Sequence, residues 1–118
     1  MKVIIGNGVV VAPETLLGDL ESLKNNGIKY EKRVFISNRC HIETELHKAI
    51  AYKVREIRED TVWINGSDIA MTFKPLKMGL RMAHLVEDDW KTFKTKYERI
   101  IKSAEKLYRI DLDKSDIE

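Results

Sequence analysis

The sequence has a single cysteine, Cys40, so no internal disulfide can form and the chain fits a reducing compartment. It has no apolar run long enough to span a bilayer. Its opening, Met1-Lys2-Val3-Ile4-Ile5-Gly6, is too short an apolar stretch for a secretory signal. Excess charge is also lacking: 21 Lys and Arg stand against 19 Asp and Glu, a formal net charge of +2 spread along the chain. Such a balance leaves no electrostatic footprint for nucleic acid or an acidic membrane. There is no internal repeat and no low-complexity segment. These absences predict a soluble, cytoplasmic protein with neither nucleic acid nor membrane as partner.

What is present suits one domain, residues 1–118, with 43% hydrophobic residues and a core of modest size. Residues 1–64 read as a strand and helix part. Lys2–Ile5 and Val9–Val11 are predicted strands around a turn at Gly6–Gly8. The run is apolar throughout, as in strands covered on both faces. Pro13 opens a helix to about Asn25, with Leu16, Leu17, Leu20 and Leu23 at helical spacing and Asn26-Gly27 as its stop. Arg33–Ser37 is the next predicted strand. Ser37 or Asn38 then caps a helix from about Arg39 to Arg58, with the stripe Ile42, Leu46, Ile50, Val54 and Ile57. Thr61–Ile64 reads as a further strand.

Residues 65–75 read as a turn at Asn65-Gly66-Ser67 followed by irregular chain to Pro75. Residues 76–108 read as helical: a short helix over Leu76–Val86, weakened by Gly79, and a last helix starting at Asp88. In that last helix Trp90, Phe93, Tyr97, Ile100, Ile101, Ala104 and Leu107 make a wide apolar face. Residues 109–118 turn acidic and read as a frayed tail. The predicted fold class is α/β, a small and mainly parallel strand set with several helices.

The isolated chemistry-bearing residues favour structural roles. His41 and His47, six apart on one predicted helix, fall on different sides, and no cysteine or carboxylate set completes a metal site. Cys40 reads as a small packed side chain. Lys53, Arg55, Arg58, Lys91, Lys94 and Lys96 read as solvated helix faces with acidic partners nearby. No catalytic or metal-binding residue is expected. Gly6-x-Gly8 alone is too weak a signal for a phosphate loop.

Four blocks carry a resemblance to adenylosuccinate synthetase. The first is Val3-Ile-Ile-Gly-Asn-Gly-Val-Val-Val-Ala-Pro-Glu-Thr-Leu-Leu17. The second, Glu31 to His41 with the core Val34-Phe35-Ile36-Ser37-Asn38-Arg39-Cys40-His41, is similar to the family's Arg-Leu-x-Ile-Ser-Asp-Arg-Ala-His, and His47 follows at the family's spacing. The third, Met78-Gly79-Leu80-Arg81-Met82-Ala83-His84-Leu85, resembles Arg-x-Gly-Leu-Arg-x-x-Asp-Leu. The fourth joins the Trp90–Tyr97 helix opening to Ile110-Asp111.

The resemblance implies a middle piece of an enzyme that ligates IMP and aspartate with GTP and Mg. The family's phosphate loop, with its catalytic aspartate and a later histidine, has no counterpart in these residues. Its IMP-phosphate loop corresponds to Asn65–Phe73, shortened and poor in glycine, where Asp68 opposes an anion. Lys77 stands where the family has an arginine that reaches IMP across the dimer interface. Gly66, Ser67 and Lys77 are therefore the candidate IMP-phosphate contacts, and IMP is expected to bind weakly at best.

Three roles follow from the resemblance. One is a synthetase fragment, inactive alone and without a cofactor of its own. Another is an interaction protein that self-associates or docks on a full-length synthetase subunit. The third is a weak nucleotide-phosphate binding module. Without the flanking strands of a larger sheet, the strands would leave an open edge and an uncovered face.

Overall fold

A computed structural model describes residues 1–58, 63–86 and 90–112. Its elements run β1 (Val3–Ile5), β2 (Val10–Val11), α1 (Pro13–Asn25), β3 (Val34–Ile36), β4 (His41–Ile42), α2 (Glu45–Ile57), α3 (Gly66–Phe73), α4 (Met82–Val86) and α5 (Trp90–Tyr108). This is the mixed α/β class read from the sequence, with short parallel strands among the described residues.

The strands form two parallel pairs, β1 with β3 and β2 with β4. Val3, Ile4 and Ile5 register against Val34, Phe35 and Ile36. β-Branched and aromatic side chains suit this pairing. Ser37 N–H donates to Ile5 O at 2.9 Å and extends the ladder. The pair is not covered on both faces: Ile4 is 78% exposed and Phe35 45% exposed. α1 begins at Pro13 as expected, and it ends at Gly27 (φ 75°), where Gly27 and Ile28 N–H close onto Lys24 and Leu23 carbonyls. No residue of α1 is fully buried.

The helix expected from Arg39 begins only at Glu45. His41 and Ile42 are claimed by strand pairing instead. They pair with Val10 and Val11 on one side, while Ile42 N–H donates to Leu80 O and Met82 N–H to Cys40 O on the other, both at 2.8 Å. Ile42 thus enters the core from a strand, and its helical spacing to Leu46 is coincidental. Cys40 is buried and its thiol lies 3.0 Å from Gly6 O.

The predicted turn and irregular chain at 65–75 is instead α3. Asn65 Oδ1 accepts Asp68 N–H at 3.0 Å, and Asp68 Oδ2 accepts Asn65 N–H at 2.9 Å. This reciprocal capping box turns Asn-Gly from a turn signal into a helix start. The helix expected over Leu76–Val86 shrinks to α4. Its first half is consumed by the closure of α3: Lys77 N–H donates to Lys74 O and Met78 N–H to Phe73 O, with Lys77 left-handed at φ 59°. The strand expected over Thr61–Ile64 and the helix start at Asp88 lie wholly or partly outside the described residues; Trp63 and Ile64 are in neither helix nor strand. The tail expected to fray from 109 contributes Leu112 to the core and packs Ile110 against it. Residues 113–118 lie outside the described residues.

The core sits where α2, α3, β4 and α5 meet. Leu46, Ile50, Ile69, Phe73, Leu80, Ile100 and Ala104 fill it. His47 is buried among them, its ring 5.9 Å from that of Phe73. Its Nδ1 accepts Thr44 N–H at 2.9 Å and closes the N-terminus of α2. That bond leaves the ring proton on Nε2, which is buried without a partner.

Burial, and then the neighbouring His41, hold the pKa of His47 down to about 4. An unfolded histidine titrates near 6.5, so the unfolded chain takes up this proton first. Stability is whole above pH 6.5 and falls by about 3 kcal/mol as pH drops toward 4. Urea unfolding of the chain across that range should show the loss. His47→Gln, which can still accept at this helix position, should flatten the part of the pH dependence that His47 supplies.

Candidate functional site

The site residues expected from the sequence fall at opposite ends of α3. Gly66 and Ser67 form its first turn. Ser67 Oγ donates to Glu43 Oε2 at 2.7 Å, and Glu43 also packs over Gly66. Glu43 is held in place by its own N–H, which donates to Val11 O at 2.9 Å. The positive end of the α3 dipole therefore faces two carboxylates, Glu43 and Asp68. An anion approaching Gly66 and Ser67 would have to displace Glu43 from the hydroxyl.

Lys77 lies beyond the other end of α3, roughly 12 Å along its axis from Gly66. There it borders a cavity of about 190 Å³ together with Lys74, Gly79, Arg81, Lys96, His41 and His84. A smaller hollow of about 80 Å³ continues along Lys77, Gly79, Lys96 and Arg99. No carboxylate lines either one among the described residues. The structure thus separates Lys77 from Ser67 and joins it to cations on the Lys74–Arg81 segment and on α5.

Local sequence accounts for this convergence. The Lys74–Lys77 turn closes α3 and swings the chain back toward β4. Gly79 then passes directly under the His41 ring, where any Cβ would collide. Arg81 bridges to His41, and its N–H donates to His84 Nδ1 at 2.9 Å to start α4. His41 is 4% exposed, and its Nδ1 is buried with no partner. Burial first, and then the charges of Arg81, Lys74 and His84, hold the His41 pKa below its ordinary value. The arrangement can attract an anion. It presents no nucleophile beside a base, and no group of His, Cys, Asp and Glu among the described residues could hold a metal ion.

Sequence reasoning missed His41, Lys74, Arg81 and Lys96 as neighbours of Lys77. A signal existed in the cations at 74, 77 and 81 flanking Gly79. Lys96 carried none, because it reads as one more solvated lysine on an amphipathic helix.

The family model for adenylosuccinate synthetase matches residues 1–118. The adenylosuccinate synthetase of Kluyveromyces lactis is 34% identical over an alignment of 118 positions that covers 89% of this chain and 27% of that protein. The synthetase of Candida tropicalis is 32% identical over an alignment of 116 positions that covers 91% of this chain and 27% of that protein. The fully ligated adenylosuccinate synthetase from Plasmodium falciparum superposes with a TM-score of 0.73 at 24% identity, over 96% of this chain and 27% of that one. This likeness shows the fold. The chain spans about a quarter of the length of the relatives it matches.

Lys77 holds a left-handed backbone that costs a residue with a Cβ about 1 kcal/mol relative to glycine. Lys77→Gly should therefore raise the unfolding free energy by about that much, read from the denaturant midpoint at unchanged m-value.

Proposed function

This chain belongs to the adenylosuccinate synthetase family, and from that membership we propose that its 118 residues form a catalytically silent segment of the synthetase fold that works only in contact with further polypeptide. The observation that carries the reading is the uncovered β1–β3 pair. Parallel strands are ordinarily covered on both faces, yet Ile4 and Phe35 stand exposed. Relatives almost four times as long have the polypeptide to cover such a sheet. The family reaction, GTP-dependent ligation of IMP and aspartate, needs donors and metal contacts fixed around a transferring phosphoryl group. The 118 residues supply no Gly-rich phosphate loop for it. Lys77 and its cavity are the part that an IMP phosphate would meet.

The exposed pair favours a second reading in the same direction: the chain associates with a copy of itself or with a full-length synthetase subunit. Each 100 Å² of apolar surface removed from water contributes about 2.5 kcal/mol before the costs of association.

Two measurements on the purified chain test the proposal. Incubation with GTP, Mg, IMP and aspartate should yield no adenylosuccinate, and product above that of a Lys77→Ala control would overturn catalytic silence. Sedimentation equilibrium at micromolar concentration should give a mass above 13.7 kDa. A sharp monomer mass without dye-detectable apolar surface would remove the physical basis for association.

A further inference from the structure

Three asparagines of the chain precede a glycine: Asn7-Gly8, Asn26-Gly27 and Asn65-Gly66. Asparagine is chemically labile, and its short side chain reaches the neighbouring backbone. A following glycine has no Cβ to shield the amide nitrogen within that reach. The fold treats the three pairs differently.

Two pairs are held. Asn26 Nδ2 donates to Ser22 O at 2.8 Å, and Gly27 N–H donates to Lys24 O at 3.0 Å. Both reacting groups are thus tied to the end of α1. Asn65 Oδ1 accepts Asp68 N–H at 3.0 Å, and Gly66 is buried under the Glu43 carboxylate. A carboxylate there opposes the negative charge of a deprotonated amide. Asn7 and Gly8 have neither protection. They are the exposed centre of the turn between β1 and β2, which Val9 N–H closes onto Gly6 O at 3.1 Å. Among the described residues, the Asn7 side chain and the Gly8 amide have no hydrogen-bond partner. A Cβ on Gly6 or Gly8 would meet nothing within 4 Å beyond its chain neighbours. The turn is open to water and has room to bend.

We propose that Asn7-Gly8 is a self-modification site, at which Asn7 deamidates to aspartate and isoaspartate and so loosens β1 from the core. Hydroxide removes the Gly8 amide proton, and the nitrogen attacks Asn7 Cγ. The Cγ–Nδ2 bond breaks, and ammonia leaves with a proton from water, which regenerates hydroxide. Water then opens the succinimide ring. Addition at Cγ gives aspartate, and addition at the Asn7 carbonyl carbon gives isoaspartate, with the main chain rerouted through Cγ. One water is consumed and one ammonia released for each asparagine, and nothing is oxidised or reduced. Isoaspartate adds a methylene to the backbone between Ile5, registered on Ile36, and Val10, registered on His41. A turn joining two fixed registers is then one carbon too long, and it carries a new charge.

The modification is separate from catalytic silence and from association, because it is a covalent change read on the folded chain. Incubation of the whole chain in mildly alkaline buffer, followed by trypsin and mass spectrometry, tests it. Lys2, Lys24, Lys29, Arg58 and Lys77 place the three pairs on separate peptides. The peptide 3–24 should gain the mass difference between amide and acid, at a rate proportional to hydroxide. It should also accept methyl groups from an isoaspartyl methyltransferase. The peptides carrying Asn26 and Asn65 should react about tenfold more slowly or less. In urea the three rates should converge, because the fold makes the difference and the dipeptide does not. Gly8→Ala meets open space at an ordinary φ, so it should fold normally and react about tenfold more slowly. Asn7→Gln should stop the reaction. In the isoaspartate-bearing chain, the Ser37 and Glu43 amides, which donate to Ile5 O and Val11 O, should exchange faster, and those of Leu46–Ala51 should keep their protection. Equal rates at the three sites in the folded chain would overturn the proposal, as would no reaction at Asn7 while the unfolded chain reacts. Unchanged Ser37 and Glu43 exchange after modification would overturn the loosening of β1.

Discussion

Leu46, Ile50 and Ala51 of α2 meet Ile69 and Phe73 of α3 in a fully buried interface, with the neutral ring of His47 wedged beside Phe73. Each half of this contact is prepared by local chemistry. His47 closes the start of α2 through Thr44, and Asn65 with Asp68 closes the start of α3. The remaining pieces lean on that pair. β4 carries Ile42 into it, Leu80 locks to β4 by a backbone hydrogen bond, and Ile100 and Ala104 bring α5 against it. Because α3 ends at Phe73, the chain must turn at Lys74–Lys77 and pass back under His41. The cationic cavity is a consequence of that return path.

The N-terminal part is held differently. β2 ties it to the core through β4, and the Cys40 thiol and the Ser37 amide reach the end of β1. Beyond those links, β1, β3 and α1 bury little of their apolar surface. The same residues give the chain its most specific likeness to the synthetase family. A segment can thus carry a strong family pattern and still leave most of its apolar surface exposed. Stability in this molecule is accordingly uneven, with a cooperative core at one end and a weakly supported sheet at the other.

Much of the fold was legible where local signals agreed. Pro13 and Gly27 bracket α1, and the Leu46-Ile50 spacing marks the buried face of α2. The Ile100-Ala104 spacing does the same for α5. The reading failed where backbone pairing overrode periodicity. Ile42 sits at helical distance from Leu46, but its amide belongs to Leu80. Asn65-Gly66 reads as a turn unless Asp68 is recognised as the partner that completes a cap. For the candidate site, Lys77 was an expectation drawn from the family resemblance, and the neighbours the fold gives it were not foreseen. Lys96 and His41 reach the cavity through tertiary packing, and no spacing along the chain encodes that meeting. Ser67 pointed the other way: its pairing with Glu43 spans 24 residues and is invisible in the local sequence.

The chain divides into a buried core and a largely exposed sheet, proposed above to be covered by further polypeptide, and native-state amide hydrogen exchange at several protein concentrations tests that division most directly. Amides of Leu46–Ala51 and Ile69–Phe73 should exchange only through global unfolding, independent of concentration. The hydrogen-bonded amides of Val3–Ile5 and Val34–Ser37 should exchange through much cheaper openings in dilute solution and gain protection as concentration rises. Equal protection of both sets at every concentration would contradict the account, because it would mean that β1 and β3 are already part of one cooperative unit.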